Sequence, residues 1–226
     1  MIVLAIDTAG VDCSAALYDS AAGRVLSAVT ETIGKGHAER LMAVIDEALA
    51  SANLQLAAVE RVAVVIGPGS FTGIRVGVAA ARGLALALGI GSVGVTTLEV
   101  LARSQLAAHP GQPVVAAMDA KRNEVYTQAF SAEGQPLTEP AALSPEDASK
   151  LIALLSAAAT GSWVEHSHGK GEAESGARDR FDIAMVARIG AEKPEDAGRP
   201  KPLYLRGPDA KPQTGFALAR ALPGND

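Results

Sequence analysis

A short unit of sequence occurs twice in this chain and limits its possible folds more than any other feature. Residues 3–7 read VLAID, and residues 115–119 read VAAMD. Each apolar run ends at an aspartate, is followed by a turn, and leads into a second apolar run, at 14–18 and 125–130. Short apolar runs bounded by turn residues are typical of buried strands. The pattern therefore predicts two copies of a strand–Asp–turn–strand unit, each opening an α/β lobe.

The spacing of apolar residues after the first unit predicts what completes its lobe. Residues 25–29 form a third short run, which predicts an antiparallel meander. From residue 37 apolar side chains recur at i, i+3 and i+4, which predicts a helix over 37–52. The other elements predicted for this lobe are strands at 62–66 and 92–95 and helices at 74–88 and 98–108. These elements give the first lobe the order βββαβαβα. A duplicated strand–Asp–turn–strand unit that opens two α/β lobes is typical of the actin-like, ribonuclease-H-like (ASKHA) α/β fold, whose two lobes contain mixed sheets.

The segment HPGQP, at 109–113, is the predicted boundary between the lobes, because proline and glycine interrupt helices and strands alike. The first lobe is thus predicted over residues 1–108 and the second over 109–226. Residues 165–180 are polar and glycine-rich, which predicts a mobile loop. The helices predicted in the second lobe lie at 145–155 and 181–189, with a short one near 216–222 after a proline-rich tail.

Charge and composition argue against several classes of protein. The chain of 226 residues has a formal net charge of −5 and few aromatic residues, which disfavours tight nucleic-acid binding by this chain alone. The single Cys13 cannot form an internal disulfide. The sequence enters directly as a strand and has no uninterrupted apolar run of about 18 residues, which predicts a cytoplasmic protein without a membrane span. Weak contact with tRNA is expected only from a basic patch in the tail, formed by Arg199, Lys201, Arg206 and Lys211.

The most distinctive stretch is GPGSFTGIR, which follows a predicted strand and precedes a predicted helix. Backbone N–H groups at such a helix start can hold an anion. The stretch lacks the lysine of a Walker A loop, and its glycines are spaced GxGxxxG instead of the dinucleotide pattern GxGxxG. It also lacks the GxSxG pattern of a nucleophile elbow. A tight structural loop is therefore predicted, with Arg75 reaching an acidic partner. Its residues are Gly67, Pro68, Gly69, Ser70, Phe71, Thr72, Gly73 and Arg75.

Two further patterns bear on a metal site. His37 precedes a helix, but a metal-binding pair would need a second histidine one turn later, where the chain has Leu41. Asp7 and Asp119, at predicted strand ends, are the kind of acids that hold Mg²⁺ in actin-like ATPases. The turn after Asp119 is bulky and charged, which leaves little room for phosphates. Both aspartates are predicted to cap turns, and no metal or cofactor is predicted.

Several segments together match the pattern of a known family. They read AIDTAGVDCSAALYD, GHAERLMAVIDEAL, VIGPGSFTGIRVGVAAARGLALALG, VTTLEVLA and MDAKRNEVY, with YLRGPDAK as a weaker echo at 204–211. The chain resembles the TsaB (YeaZ) family, subunits of the bacterial machinery that makes N6-threonylcarbamoyladenosine (t6A) on tRNA. The resemblance implies an actin-like fold and a non-catalytic role, because the transferase chemistry belongs to the paralogue TsaD. It also implies that TsaD binds through helices of the first lobe, that the ATPase TsaE joins the complex and that tRNA is contacted only indirectly. Members of the family by themselves are often homodimers, and for this chain both the monomer and the homodimer stay open.

The helices implied in partner binding are the predicted ones at 37–52 and 74–88. The second contains Gly77 and Gly83, whose cost to helix stability is explained if another helix packs very close. The predicted partner-binding residues are His37, Leu41, Ile45, Ile74, Gly77, Val78, Ala81 and Arg82. Two alternatives stay open from the residues alone, an actin-like metabolite kinase or ATPase and an NADP-dependent oxidoreductase. A proteolytic activity proposed within the family is not predicted here, because no Ser/His/Asp set is apparent.

Overall fold

The structure is a computed structural model that describes residues 1–167, 180–194 and 197–206. Its strands are β1 (Ile2–Asp7), β2 (Asp12–Asp19), β3 (Arg24–Thr32), β4 (Arg61–Val65), β5 (Gly91–Val95), β6 (Val114–Asp119), β7 (Val125–Phe130), β8 (Ala141–Leu143) and β9 (Ala158–Thr160). Its helices are α1 (His37–Ser51), α2 (Phe71–Leu88), α3 (Thr97–Ala108), α4 (Pro145–Leu155), α5 (Ser162–Ser167) and α6 (Ile183–Glu192), with a 3-10 turn at Leu56–Ala58.

The first half of the chain forms a five-stranded mixed sheet with the order β3-β2-β1-β4-β5. The first three strands are the predicted antiparallel meander, in which Ile6 pairs with Ala15. β4 lies on the other side of β1 and runs parallel to it, so that Ile6 also pairs with Val64. β1 is therefore central and is buried along almost its whole length.

The second sheet repeats this arrangement in a shorter form, with the order β8-β7-β6-β9. β6 pairs antiparallel with β7 and parallel with β9, as β1 does with β2 and β4. Asp7 and Asp119 end the equivalent central strands, opposite Ser14 and Val125 respectively. The predicted duplication and the actin-like, ribonuclease-H-like α/β fold with two mixed sheets are confirmed.

Helices cover both faces of the first sheet. A Cβ atom built on Gly77 of α2 would lie 3.3 Å from Val64 Cγ2, whereas one built on Gly190 of α6 would lie 2.2 Å from Ala63 Cβ. Neighbouring residues of a strand point to opposite faces, so α2 and α6 pack on opposite sides of β4. α1 packs beside α2 against β2 and β3, and α3 contacts both β6 and α6.

Buried Arg61, at the start of β4, fixes the end of α6. Its Nη1 donates to the carbonyl oxygens of Gly190, Ala191 and Lys193 at 3.2, 3.3 and 2.7 Å. These are carbonyls that the last turn of a helix leaves without an intrahelical partner. A helix from the second half of the sequence thus completes the first sheet. The lobe boundary between residues 108 and 109 stays a prediction.

Some local predictions differ from the structure. Helix α5 extends to Ser167, into the segment predicted as a loop over 165–180, and the rest of that segment up to 179 lies outside the described residues. The short helix predicted near 216–222 also lies outside them. Strand β8, three residues reading AAL, has too short an apolar run to be recognised.

Helix α2 is the one helix in the described residues that is long and apolar enough to cross a membrane, by length and composition alone. The sequence criterion of an uninterrupted apolar run did not select it, because Arg75 and Arg82 interrupt it. In the structure α2 packs against β1, β4 and β5, as the core helix of a folded domain does.

Candidate partner interface

The loop between β4 and α2 packs directly against the turn that follows β1. Thr8 Oγ1 donates to the carbonyl oxygen of Gly73 at 2.7 Å, and Ser70 N donates to the carbonyl oxygen of Ala9 at 2.7 Å. Ser70 also caps α2, because its Oγ accepts from Gly73 N at 3.2 Å. The polar groups of the turn are therefore used within the chain.

Glycine is required along this contact for lack of space. A Cβ atom would lie 2.5 Å from Ala9 O at Gly69, 1.9 Å from Thr8 O at Gly73, and 2.5 Å from Thr8 Oγ1 at Gly77. Real Cβ contacts are essentially never below 3.0 Å, so any side chain would push the loop and α2 away from β1. These glycines let the loop close over the end of β1.

The other side of the loop is held by α3 and by the segment near residue 203. Thr97 donates twice, from Oγ1 to Pro68 O at 2.7 Å and from its backbone N to Gly67 O at 3.0 Å. Leu203 N donates to Ile66 O at 2.8 Å. The loop predicted as a tight structural element is thus fixed by hydrogen bonds to three separate parts of the chain.

Asp7 lies in this closed region and is fully buried. Its Oδ1 accepts from Ala9 N at 2.8 Å, whereas its Oδ2 has no hydrogen-bond partner among the described residues. Burial raises the pKa of Asp7 to about 7, and the nearby carboxylate of Asp12 adds to the rise. A metal-binding carboxylate would instead need to be ionised and open to an ion.

Asp119, the counterpart of Asp7 in the second sheet, is exposed. Its Oδ1 accepts from Lys121 N at 2.8 Å, so it caps the following turn. That turn contains three successive residues in the left-handed region, Lys121, Arg122 and Asn123, with φ of 60°, 54° and 61°. The two aspartates thus occupy equivalent places in the two sheets, but Asp7 is buried and Asp119 is exposed. Each carboxylate accepts a hydrogen bond from the backbone amide two residues later.

His37 and Leu41 occupy the positions at which a paired metal site was considered. His37 is buried at the start of α1, and its Nε2 lies 3.1 Å from the carbonyl oxygen of Asp12. Leu41, one turn later, is buried in the core. Among the residues that the structure describes, no group of three or more His, Cys, Asp or Glu side chains could hold a metal ion.

The predicted partner-binding residues need a correction, because most of them face this chain's own core. Arg82 alone of the set is exposed, and the buried ones are His37, Leu41, Ile45, Ile74, Gly77, Val78 and Ala81. Gly77 meets Thr8 and Val64, so the small-residue face that contains it packs on the sheet. A partner that leaves the fold intact can contact α2 only on the face that points away from the sheet.

That outward face also contains small residues, at Ala79, Gly83 and Ala87, all exposed. A Cβ atom built on Gly83 would meet no atom of residues 1–167, 180–194 or 197–206 within 4 Å. Large apolar side chains lie on the same layer of helices, with Leu86 of α2 80 % exposed and Met42 of α1 47 % exposed. We call the surface formed by Met42, Ala79, Gly83, Leu86 and Ala87 the outer helix face.

A second exposed cluster lies at the start of α2. The guanidinium carbon of Arg75 is 3.7 Å from the centre of the Phe71 ring and 5.6 Å from that of Tyr204. Arg75 Nε donates to the Tyr204 hydroxyl at 2.8 Å. The sequence predicted that Arg75 reaches an acidic partner, but within the chain it reaches two aromatic rings. Tyr204 escaped prediction, since 129 residues separate it from Arg75.

Comparison with known proteins gives a consistent picture. The family model described as TsaD, tRNA N6-adenosine threonylcarbamoyltransferase, matches residues 25–170. The tRNA threonylcarbamoyladenosine biosynthesis protein TsaB of Escherichia coli is 33 % identical over 169 residues, which cover 73 % of this chain and 70 % of that protein. The chain belongs to the TsaB family. The predicted family resemblance is thus confirmed.

Two further comparisons extend this result. The TsaB protein of Haemophilus influenzae is 37 % identical over 126 residues, and the match covers 56 % of this chain but only 52 % of that relative. A crystal structure of an uncharacterized Pseudomonas aeruginosa protein, described as similar to peptidase YEAZ, superposes with a TM-score of 0.69 at 28 % identity. The superposition covers 91 % of this chain and 99 % of that one.

Proposed function

We propose that this chain is a non-catalytic scaffold subunit of the cytoplasmic machinery that makes t6A on tRNA. In this proposal it binds and supports a TsaD-type transferase, which carries the chemistry, and a TsaE-type ATPase joins the complex. The TsaD-type partner is of the same fold class, because a transferase family model matches most of this chain. The tRNA is bound by the complex as a whole, and in the absence of the transferase a second copy of the chain takes its place.

The outer helix face is the observation that carries this proposal. A glycine inside an exposed helix costs roughly 1 kcal/mol relative to alanine. No contact with the described residues offsets this cost at Gly83, because a Cβ atom there would meet none of them within 4 Å. A partner helix packed across Ala79 and Gly83 would approach closely and cover Leu86 and Met42, which are otherwise large exposed apolar side chains.

The closed turn after β1 supports the non-catalytic part of the proposal. An actin-like ATPase needs open backbone amides there to hold phosphates, but in this chain the Ala9 amide donates to Asp7 Oδ1 and the Ser70 amide donates to the carbonyl oxygen of Ala9. The raised pKa of Asp7 leaves its carboxyl partly protonated near neutral pH, which disfavours a metal. His37 Nε2 lies 3.1 Å from the backbone carbonyl oxygen of Asp12.

Co-elution with the transferase tests the proposal. The Gly83→Leu variant should melt at or slightly above the wild-type temperature, because leucine favours a helix over glycine and meets no described residue, but it should no longer co-elute with the TsaD-type protein on gel filtration. Ala107→Leu, at an exposed alanine of α3, is the matched control and should co-elute normally. A Gly83→Leu variant that forms the complex with unchanged affinity would exclude this face as the interface.

A further inference from the structure

A surface separate from the outer helix face lies where the ends of the two sheets meet. The segment 203–206 begins at the end of β4, where Leu203 N donates to Ile66 O at 2.8 Å. It then passes Arg75, whose Nε binds the Tyr204 hydroxyl. It ends on the turn after β6, where Arg206 Nη2 pairs with Glu124 and donates to Lys121 O at 3.4 Å. We call the surface formed by Phe71, Arg75, Lys121, Arg122, Tyr204 and Arg206 the joint surface.

The centre of the joint surface is a pre-organised arginine. The guanidinium lies 3.7 Å from the centre of the Phe71 ring, and its Nε is held at 2.8 Å by Tyr204. These contacts fix the plane of the guanidinium, and its terminal Nη1 and Nη2 groups make no hydrogen bond within the described residues. A fixed planar fork of this kind suits the oxygens of a phosphate.

The rings themselves remain available for contact. Phe71 is 51 % exposed and Tyr204 is 46 % exposed, and their centres lie 5.4 Å apart at an angle of 37°. Exposed aromatic rings beside cations form the stacking surfaces on which single-stranded nucleic acids lie. A surface that contacted only acidic side chains would have no use for the exposed faces of the rings.

The charge of the joint surface is opposite to that of the molecule. Arg75 and Lys121 are exposed, and Glu124, the acid on the same turn, is bound by Arg206. The chain as a whole has a net charge of −5, so this local excess of cations stands out. Cations interleaved with rings match the alternation of phosphates and bases along a strand.

We propose that the joint surface binds a single-stranded segment of RNA, with Arg75 and Lys121 on phosphates and Phe71 or Tyr204 stacked on a base. The inference rests on the proposed function only for the expectation that this RNA is a tRNA. It goes beyond that function in giving this chain a direct RNA contact. An acidic protein segment is the alternative occupant, and the test below separates the two.

The test measures fluorescence anisotropy of a labelled, unstructured single-stranded RNA titrated with the full chain between about 50 and 200 mM salt. Phe71→Ala and Tyr204→Ala should each weaken binding about fivefold or more, because each removes a stacking ring. Arg75→Gln and Lys121→Gln should each lower the slope of log K against log salt by about 1. Arg75→Lys, which keeps the charge, should retain that slope. An unmodified tRNA transcript serves as a second probe.

Matched controls lie on other faces of the molecule. Leu137→Ala removes an apolar side chain as exposed as Phe71, and Arg24→Gln removes an exposed cation on β3. Both should bind RNA as the wild type does. The inference is supported if the joint-surface variants have the melting temperature of the wild type and still co-elute with the transferase, but bind RNA more weakly. This result does not depend on the role of the outer helix face.

Three results would overturn it. One is the absence of measurable RNA binding by the wild-type chain even at the lowest salt. Another is RNA binding by the four joint-surface variants that equals the wild type. The last is that these variants no longer bind the transferase, or a polyglutamate probe, but still bind RNA. That result would make the joint surface a site for an acidic protein.

Discussion

Asp7 has a carboxyl group in an almost water-free environment. Its carboxyl group is fully buried, one oxygen accepts from Ala9 N, and Oδ2 has no partner among the described residues. The desolvation raises its pKa from 3.8 to about 7, so the folded protein holds this proton across a pH range in which the unfolded chain has lost it.

We expect the stability of the protein to fall as pH rises from about 4 to 7. In that window the folded state binds one more proton than the unfolded state, so the free energy of unfolding decreases with pH, by up to about 4 kcal/mol in total. Asp7→Asn keeps an acceptor for Ala9 N and cannot ionise, so urea unfolding of this variant should lose most of that pH dependence. Asp19→Asn is the control, since Asp19 makes the same bond to Ala21 N at 2.9 Å in a more exposed place. Equal pH profiles for wild type and Asp7→Asn would contradict the prediction.

Two glycines of α2 should respond oppositely to the same substitution. A Cβ atom at Gly77 would lie 2.5 Å from Thr8 Oγ1, so Gly77→Ala should lower the free energy of unfolding by about 1–3 kcal/mol. Gly83 has open space around it, so Gly83→Ala should raise that free energy by roughly 0.5–1 kcal/mol. Denaturant unfolding of the two variants measures both. A destabilised Gly83→Ala, or a neutral Gly77→Ala, would mean that the phase of α2 is wrong.

At the scale of elements, α6 depends on a distant residue. Arg61 binds the carbonyls at its C-terminal end, and Gly190 allows α6 to lie against Ala63. Nearby, Lys193 Nζ lies 2.8 Å from Glu99, and Arg103 pairs with Glu192.

Arg61→Met should loosen α6 on the sheet. Methionine keeps an unbranched apolar side chain but removes the charged group that donates hydrogen bonds to three carbonyl oxygens. The free energy of unfolding should therefore fall by about 2–3 kcal/mol. Hydrogen exchange of the α6 amides should accelerate most. Arg103→Met breaks a solvent-exposed ion pair to the same helix and should cost below about 1 kcal/mol. If the two variants were equally stable, the buried contacts of Arg61 would not be what holds α6.

At the scale of the whole molecule, the two sheets retain the topology of a nucleotide-binding fold while the first strand-end turn is closed. In the TsaB family member described here, the loop after β4 fills the space beside Thr8 and Ala9. The molecule thus keeps the architecture of a fold to which ATPases belong, while the described residues around that turn are closely packed.

The isolated chain should therefore neither bind nor hydrolyse ATP. Isothermal titration with ATP and Mg²⁺ should give no heat of binding, and phosphate release should not exceed that of an Asp7→Ala variant. A kinase or ATPase would bind both ligands by itself. Titration with NADPH, followed by its fluorescence, should likewise show no change. Saturable binding of either nucleotide would favour an enzyme over a scaffold.

Much of the fold was predictable because its signals are local. The strand–Asp–turn units, the helical spacing from residue 37 and the loop character of GPGSFTG depend on residues close in sequence, where turn chemistry and periodicity act. The same locality made the family resemblance readable. The local patterns also predict the five strands that the first sheet contains.

Tertiary structure alone decided which surfaces are free. Gly77 and Gly83 look alike in sequence, and only the position of β4 and Thr8 makes one a core residue and the other a surface residue. For the same reason the predicted partner-binding set fell mostly on buried positions. Arg61 caps the C-terminal end of α6, and Arg75 donates a hydrogen bond to Tyr204. Both contacts join residues about 130 positions apart in sequence, and no local periodicity encodes them. Sequence thus determined the elements, whereas packing between distant elements determined which of their faces remain available to a partner.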